Sequence, residues 1–237
     1  MDRILTLVDF VRDLDQHLRE RGIPYALWGG CAVSCHIGYI HRKLGDIDMI
    51  CDSSHWTGVS DVLCTQGVDP STDKYSKLSG YKAFEGSGKQ LKVQVFPLHF
   101  RIIDPQCSEA AASYDFSTGM CARDDSVLKY LERGVEARTS VLPFEDIVTT
   151  KLMLPLCPPH TTDLILLLRR VPKRTQLSVC VTEACRQPWV ATRVANNLAL
   201  LRKLAVGGPK HMMGGGTRKA NSDLCEAIHA PGEPRCL

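Results

Sequence analysis

The sequence predicts an α/β fold joined to a helical C-terminal region, and three observations predict it. Helix-like and strand-like patterns alternate through the first seventy residues, two strand-like runs then flank a turn-rich link, and beyond about residue 105 the signals become helical. Taken in order, Ile4, Val8, Val11, Leu14 and Leu18 recur at three- and four-residue steps with Asp9, Arg12, Asp13 and Arg19 between them, an amphipathic helix over residues 2 to 21. Gly22 stops it. Ile23 to Trp28 reads as a short buried strand running into Gly29-Gly30, with a second helix over Cys31 to Ile40. Gly45 precedes Asp46-Ile47-Asp48-Met49-Ile50, whose alternation suits a strand with both carboxylates on one face. A helix over residues 55 to 66 follows. Tyr75 to Phe84 and Leu91 to Phe100, separated by Glu-Gly-Ser-Gly-Lys, form a hairpin pattern. Further on, Pro143-Phe144-Glu145-Asp146 marks a helix start with Ile147 to Leu154 as its body, and Pro155, Pro158 and Pro159 end it. Asp163 to Arg170 and Trp189 to Leu204 complete the helices. The glycines from Gly207 onward mark a tail.

Composition narrows the classes. A chain of 237 residues with 44% hydrophobic residues can bury a substantial core, which argues against disorder throughout. A net charge of +3 is too small to make nucleic acid an obligatory partner. The N-terminal residues interrupt their apolar positions with charge, and no stretch reaches the length of a membrane span, so a cytoplasmic protein without a membrane partner is expected. The 11 cysteines are odd in number and show no repeated Cys-x-x-Cys spacing, so they read as reduced thiols. His36, His41, His99 and His160 have no spacing that forces a metal or nucleophile site.

Chemistry concentrates in two short motifs. Aspartates two apart on a strand project from the same face, so Asp46 and Asp48 can hold magnesium, or manganese, between them. A Gly-Gly pair between a strand and a helix lets the backbone approach a phosphate, and the helix N-terminus favours negative charge. Strand, Gly29-Gly30, helix, then Asp46-Ile47-Asp48 on the next strand resembles the DNA polymerase β-like nucleotidyltransferase superfamily. The resemblance extends to residues 143–152, which are similar to the helix that follows the core in the minimal, toxin- and antitoxin-associated members. It covers residues 20 to 170.

What the resemblance implies is specific. The fold would be a mixed sheet flanked by helices, with a core over residues 1–105, a helical region over 106–205 and a tail over 206–237. Asp46 and Asp48 would be catalytic metal ligands. Gly29, Gly30, Arg42 and Lys151 would bind the nucleotide, and Asp163 would stand at the acidic position found downstream. The reaction would move a nucleoside monophosphate from a nucleoside triphosphate to a hydroxyl on RNA, protein or a small molecule.

One position departs from the family. A third carboxylate is expected on a later strand, and in Leu91-Lys92-Val93-Gln94-Val95-Phe96 that place is held by Gln94. A glutamine ligates magnesium weakly and cannot serve as a general base. Three readings follow: no such base is needed, Asp163 or Asp52 substitutes, or the chain is a decayed transferase that binds nucleotide, RNA or protein. Cys31, at a helix N-terminus, reads as a packing position. The basic run from Leu168 to Thr175 reads as a solvated helix end or a contact to an anionic partner.

Overall fold

The computed structural model describes residues 3–72, 77–83, 90–104, 107–169, 174–186 and 189–206. The chain divides into two compact units, the first formed by residues 1–101 and 114–143, the second by residues 102–113 and 144–237.

In the first unit, helix α1 (Arg3–Glu20) buries Val8, Val11, Leu14 and Leu18 of the predicted stripe, with Leu7 beside them, while Ile4 is half-buried. Strand β1 (Tyr25–Trp28) is buried throughout and leads directly into α2 (Gly29–Ile37), so the two glycines are the first two residues of the helix itself. Gly38, in the left-handed region, ends α2. Strand β2 (Asp46–Cys51), helix α3 (Trp56–Thr65), the two-residue β3 (Ser71–Thr72), β4 (Leu78–Ala83) and β5 (Gln90–Phe96) follow. The predicted hairpin is real: β4 and β5 pair antiparallel from Leu78 opposite Val95 to Ala83 opposite Gln90. Its link at residues 84–89 lies outside the described residues.

Strands β6 (His99–Asp104) and β7 (Cys107–Asp115) form a separate two-stranded sheet. Then come the short helix α4 (Ser117–Cys121), β8 (Asp124–Tyr130) and β9 (Val135–Val141). This corrects the expectation that helical structure takes over after residue 105. In β9, Ala137, Thr139 and Val141 are buried while Glu136 and Arg138 are exposed, an alternation of period two whose threonine and small alanine weaken the apolar signal.

The main sheet has seven strands in the order β3-β4-β5-β2-β1-β9-β8. It is mixed: β2 runs parallel to β5 and β1 parallel to β9, while β1 and β2 are antiparallel, as are β8 and β9. Polar groups fasten α1 to the β1-β9-β8 side of the sheet. The Tyr25 hydroxyl donates to Asp15 and meets Thr139 Oγ1 at 2.9 Å, and Arg19 joins Asp15 to Asp125.

The second unit is largely helical. It contains α5 (Phe144–Met153), α6 (Pro158–Leu168), α7 (Arg174–Cys185) and α8 (Val190–Val206), with α6, α7 and α8 all packing on α5. Pro158 and Pro159, expected to end a helix, instead occupy the first turn of α6, where a missing N–H costs nothing. Asn197 on α8 donates to the carbonyls of Leu152 and Leu154 at the end of α5, satisfying groups the helix leaves open. The expected tail beyond Val206 and half of the basic run, residues 170–173, lie outside the described residues.

Candidate active site

The middle of the sheet brings the two motifs together by register. Trp28, the last residue of β1, stands opposite Asp48 of β2, and Asp48 stands opposite Gln94 of β5. Residues directly opposite in a ladder share a face. Trp28, Asp48 and Gln94 therefore form a row across three strands, which Ser79 of β4 extends, and Asp46 and Lys92 form the next row. Ile47 and Met49, on the other face of β2, are fully buried, whereas both aspartates remain half-buried. The alternation read from the sequence is thus the one the sheet uses.

The glycines fit around these side chains. Gly29 has a φ of +64°, a conformation that L side chains rarely adopt, and a Cβ there would run into the Asp48 carboxylate. A Cβ on Gly30 would lie 2.6 Å from an Arg42 terminal nitrogen and 2.9 Å from Leu44 Cδ2. Each glycine thus makes room for one charged side chain of the expected site. Trp28 caps α2 without a side-chain hydrogen bond, so no side chain from the capping position takes up the N–H groups of the first turn.

Cys31 reports the same convergence. Its thiol is buried, 3.7 Å from the Asp46 carbonyl oxygen, and its pKa is pushed well above the ordinary value by burial first and then by Cys35, Asp48 and Asp46, with Arg42 opposing. That shift favours the protonated thiol, in keeping with a packing role. The loop between α2 and β2 is held by Ser34, whose hydroxyl donates to the Gly30 carbonyl and meets His41 Nδ1 at 3.1 Å. An aromatic cluster backs the row: Trp28 meets Phe96, Phe100 and Phe116 edge-on at 4.9, 5.1 and 5.7 Å between ring centres.

Gln94 is buried, and its Nε2 has no hydrogen-bond partner among the described residues. Asp52 lies four residues beyond Asp48 at the opposite end of β2, roughly 13 Å further along an extended strand, and its carboxylate accepts from the Ser54 backbone N–H. That hydrogen bond holds its pKa below the usual carboxylate range. It is a turn cap, in no position to substitute for a base beside Asp48.

Lys151 and Asp163 belong to the second unit. Lys151 is neither a solvated surface lysine nor an isolated one: its ammonium donates to Asp163 Oδ2 at 2.9 Å, and both side chains are buried. The pair ties α5 to α6. Lys92 and Trp28, opposite the aspartates, and Ser79, opposite Gln94, are members of the rows that sequence reasoning did not single out; the alternation of β5 exposed Lys92, but the partners from β4 and β1 follow only from register.

Asp46 and Asp48 put two carboxylates on one face of β2. Among the described residues no three or more His, Cys, Asp or Glu side chains gather as a metal cluster, and magnesium is commonly held by one or two carboxylates together with substrate phosphates.

The fold is shared with solved structures. The antibiotic-resistance factor ANT(2'')-Ia in complex with adenylyl-2''-tobramycin superposes with a TM-score of 0.53 at 15% identity, covering 76% of this chain and 98% of that one. A solution structure of the same factor gives 0.51 at 16% identity, covering 77% and 93%. The chain has a nucleotidyltransferase-type fold. The lincosamide antibiotic adenylyltransferase LnuA matches less well, with a TM-score of 0.45 at 16% identity over 69% of this chain and 93% of that one. No protein-family model matches the sequence, and no curated protein sequence does. The mixed sheet flanked by helices is the fold that the Gly-Gly and Asp-x-Asp motifs imply.

Proposed function

We propose that the chain is a nucleotidyltransferase that moves a nucleoside monophosphate from a nucleoside triphosphate to a hydroxyl-bearing acceptor, on RNA, protein or a small molecule. One observation carries this reading: Gly29 yields its side-chain space to Asp48 and Gly30 yields its own to Arg42, so that a helix N-terminus, a carboxylate and a guanidinium share one small volume. The α2 N-terminus and Arg42 suit the phosphates of the nucleotide, while Asp46 and Asp48 suit magnesium or manganese. Bound there, the metal would neutralise charge on the phosphates and on leaving pyrophosphate. The ANT(2'')-Ia structure of the same fold is in complex with adenylyl-2''-tobramycin, which supports nucleotidyl transfer as the chemistry.

The finer points belong to the same proposal. Lys151 contacting a phosphate, Asp163 assisting, and kinship with the minimal toxin- and antitoxin-associated members rest on the sequence of residues 143–163. No helix among the described residues is long and apolar enough to cross a membrane, and a cytoplasmic location is proposed with it.

Gln94 favours a second reading, a nucleotide-binding module that no longer turns over, because an amide is neither acid nor base. Incubating the protein with each labelled triphosphate, magnesium and a cell extract separates the two. Label entering RNA, protein or metabolites establishes transfer and names the acceptor class. Bound nucleotide with no transfer in any fraction favours the module.

A further inference from the structure

Arg42 reaches the N-terminus of α2 from residues 38–45, the connection between α2 and β2, which has no regular secondary structure of its own. A long side chain on such a segment is placed only as firmly as the segment is held. Two hydrogen bonds hold it just before Arg42. The Ile40 N–H donates to the Lys129 carbonyl of β8 at 2.8 Å, and His41 Nδ1 meets Ser34 Oγ at 3.1 Å.

Ser34 is the one hydroxyl among the buried residues of α2, and it is fully buried. Burying a hydroxyl is costly unless it is bonded. Here it is bonded on both sides: its single proton goes to the Gly30 carbonyl at 3.1 Å, an acceptor only, so its oxygen accepts the Nδ1 hydrogen of His41. Gly30 is also the residue whose missing Cβ leaves room for Arg42, a terminal nitrogen of which lies 2.6 Å from that point. Gly30, Ser34, His41 and Arg42 thus close a ring of contacts, in which the residue before Arg42 is tied to the residue that Arg42 lies over.

We propose that Ser34 and His41 are positioning residues for the nucleotide phosphate: their hydrogen bond fixes the Arg42 guanidinium over the first turn of α2, and breaking it weakens phosphate binding while sparing the base and ribose. This rests on the reading of Arg42 and the α2 N-terminus as the phosphate site. A guanidinium already held in its bound place gives up little freedom when an anion arrives, and its fixed fork of N–H groups meets phosphate oxygens in one geometry. Ser34, fully buried, touches no ligand, so its effect on binding travels through the segment it holds.

The test uses the full chain with magnesium and non-hydrolysable analogues of ATP, GTP, CTP and UTP, each beside its nucleoside, in calorimetry. A wild type that binds none of the analogues overturns the nucleotidyl-transfer reading and this inference with it. For an analogue that binds, Ser34→Ala should weaken affinity roughly fivefold or more and leave that of the nucleoside within about twofold. Arg42→Ala should weaken it at least as much, and Ser34→Ala added to Arg42→Ala should cost nothing further, the non-additivity expected of residues that act as one unit. His41→Phe, at a half-buried position where folding is less at risk, should repeat the result. Unchanged triphosphate affinity in a folded variant, an equal loss for analogue and nucleoside, or a further loss from Ser34→Ala where Arg42 is already alanine overturns the inference while leaving nucleotide binding intact.

Discussion

The Asp48 carboxylate fills the space in which a side chain at Gly29 would begin, its Cγ 3.1 Å from where a Cβ would stand. Gly29→Ala should therefore be harmful twice over. The left-handed backbone costs an L residue about 1–2 kcal/mol, and the methyl group displaces Asp48. A lowered melting temperature should accompany loss of magnesium-dependent triphosphate binding by calorimetry, whereas Gly22→Ala, also at positive φ but with open space around it, should show the lower melting temperature alone.

The paired aspartates give a complementary outcome. Asp46→Asn with Asp48→Asn removes two charges from one face at nearly constant size, so the fold should persist by circular dichroism. Magnesium-dependent nucleotide affinity should fall at least tenfold. Unchanged affinity in the folded double variant would remove both residues from the site.

Lys151 is tested by its partner. Removing one member of a buried ion pair leaves the other charge uncompensated, a loss of about 3–5 kcal/mol. Lys151→Met should therefore lower stability steeply, and Lys151→Met with Asp163→Leu should recover most of it in denaturant titrations. If Lys151 also contacts nucleotide phosphate, the double variant will bind triphosphate more weakly than wild type and nucleoside equally well. Equal loss for both ligands, or none, confines Lys151 to joining α5 and α6.

Buried thiols set an alkaline limit. Burial pushes Cys35 and Cys51 from 9.0 up to about 12. A raised pKa in the folded state means that the folded chain holds these protons more tightly than the unfolded one. Their contribution is complete below pH 9 and lost as pH rises from 9 toward 12. Unfolding free energies should be level from pH 7 to 8.5 and fall above 9, and Cys35→Ala with Cys51→Ala should flatten that fall.

Much of the site was legible because its residues are local signals. Gly29-Gly30 and Asp46-Ile47-Asp48 announce their backbone states by residue type and by period-two alternation, and Gln94 could be placed by the same alternation in Leu91–Phe96. The partnerships were not legible, since nothing local says that Trp28, Asp48, Gln94 and Ser79 share a row; that depends on strand order. Strand β9 was lost because Thr139 and Ser140 are buried polar residues satisfying neighbours rather than displaying an apolar stripe. Helix α6 was cut short because proline signals both the end of one helix and the first turn of the next.

Strand β1 sits between β2 and β9, and its pairing to β9, Leu27 opposite Val141, joins segments separated by most of the first unit's sequence. Closing so long a loop is entropically costly before any contact compensates it, so the central strand leading into Gly29 is completed late in folding. During synthesis the carboxylate strand β2 can emerge and pair with β1 long before β9 exists. The nascent chain thus carries the pieces of the Trp28, Asp48 and Gln94 row well ahead of the scaffold that flanks it, and nucleotide affinity should arise only when residue 141 has joined the sheet.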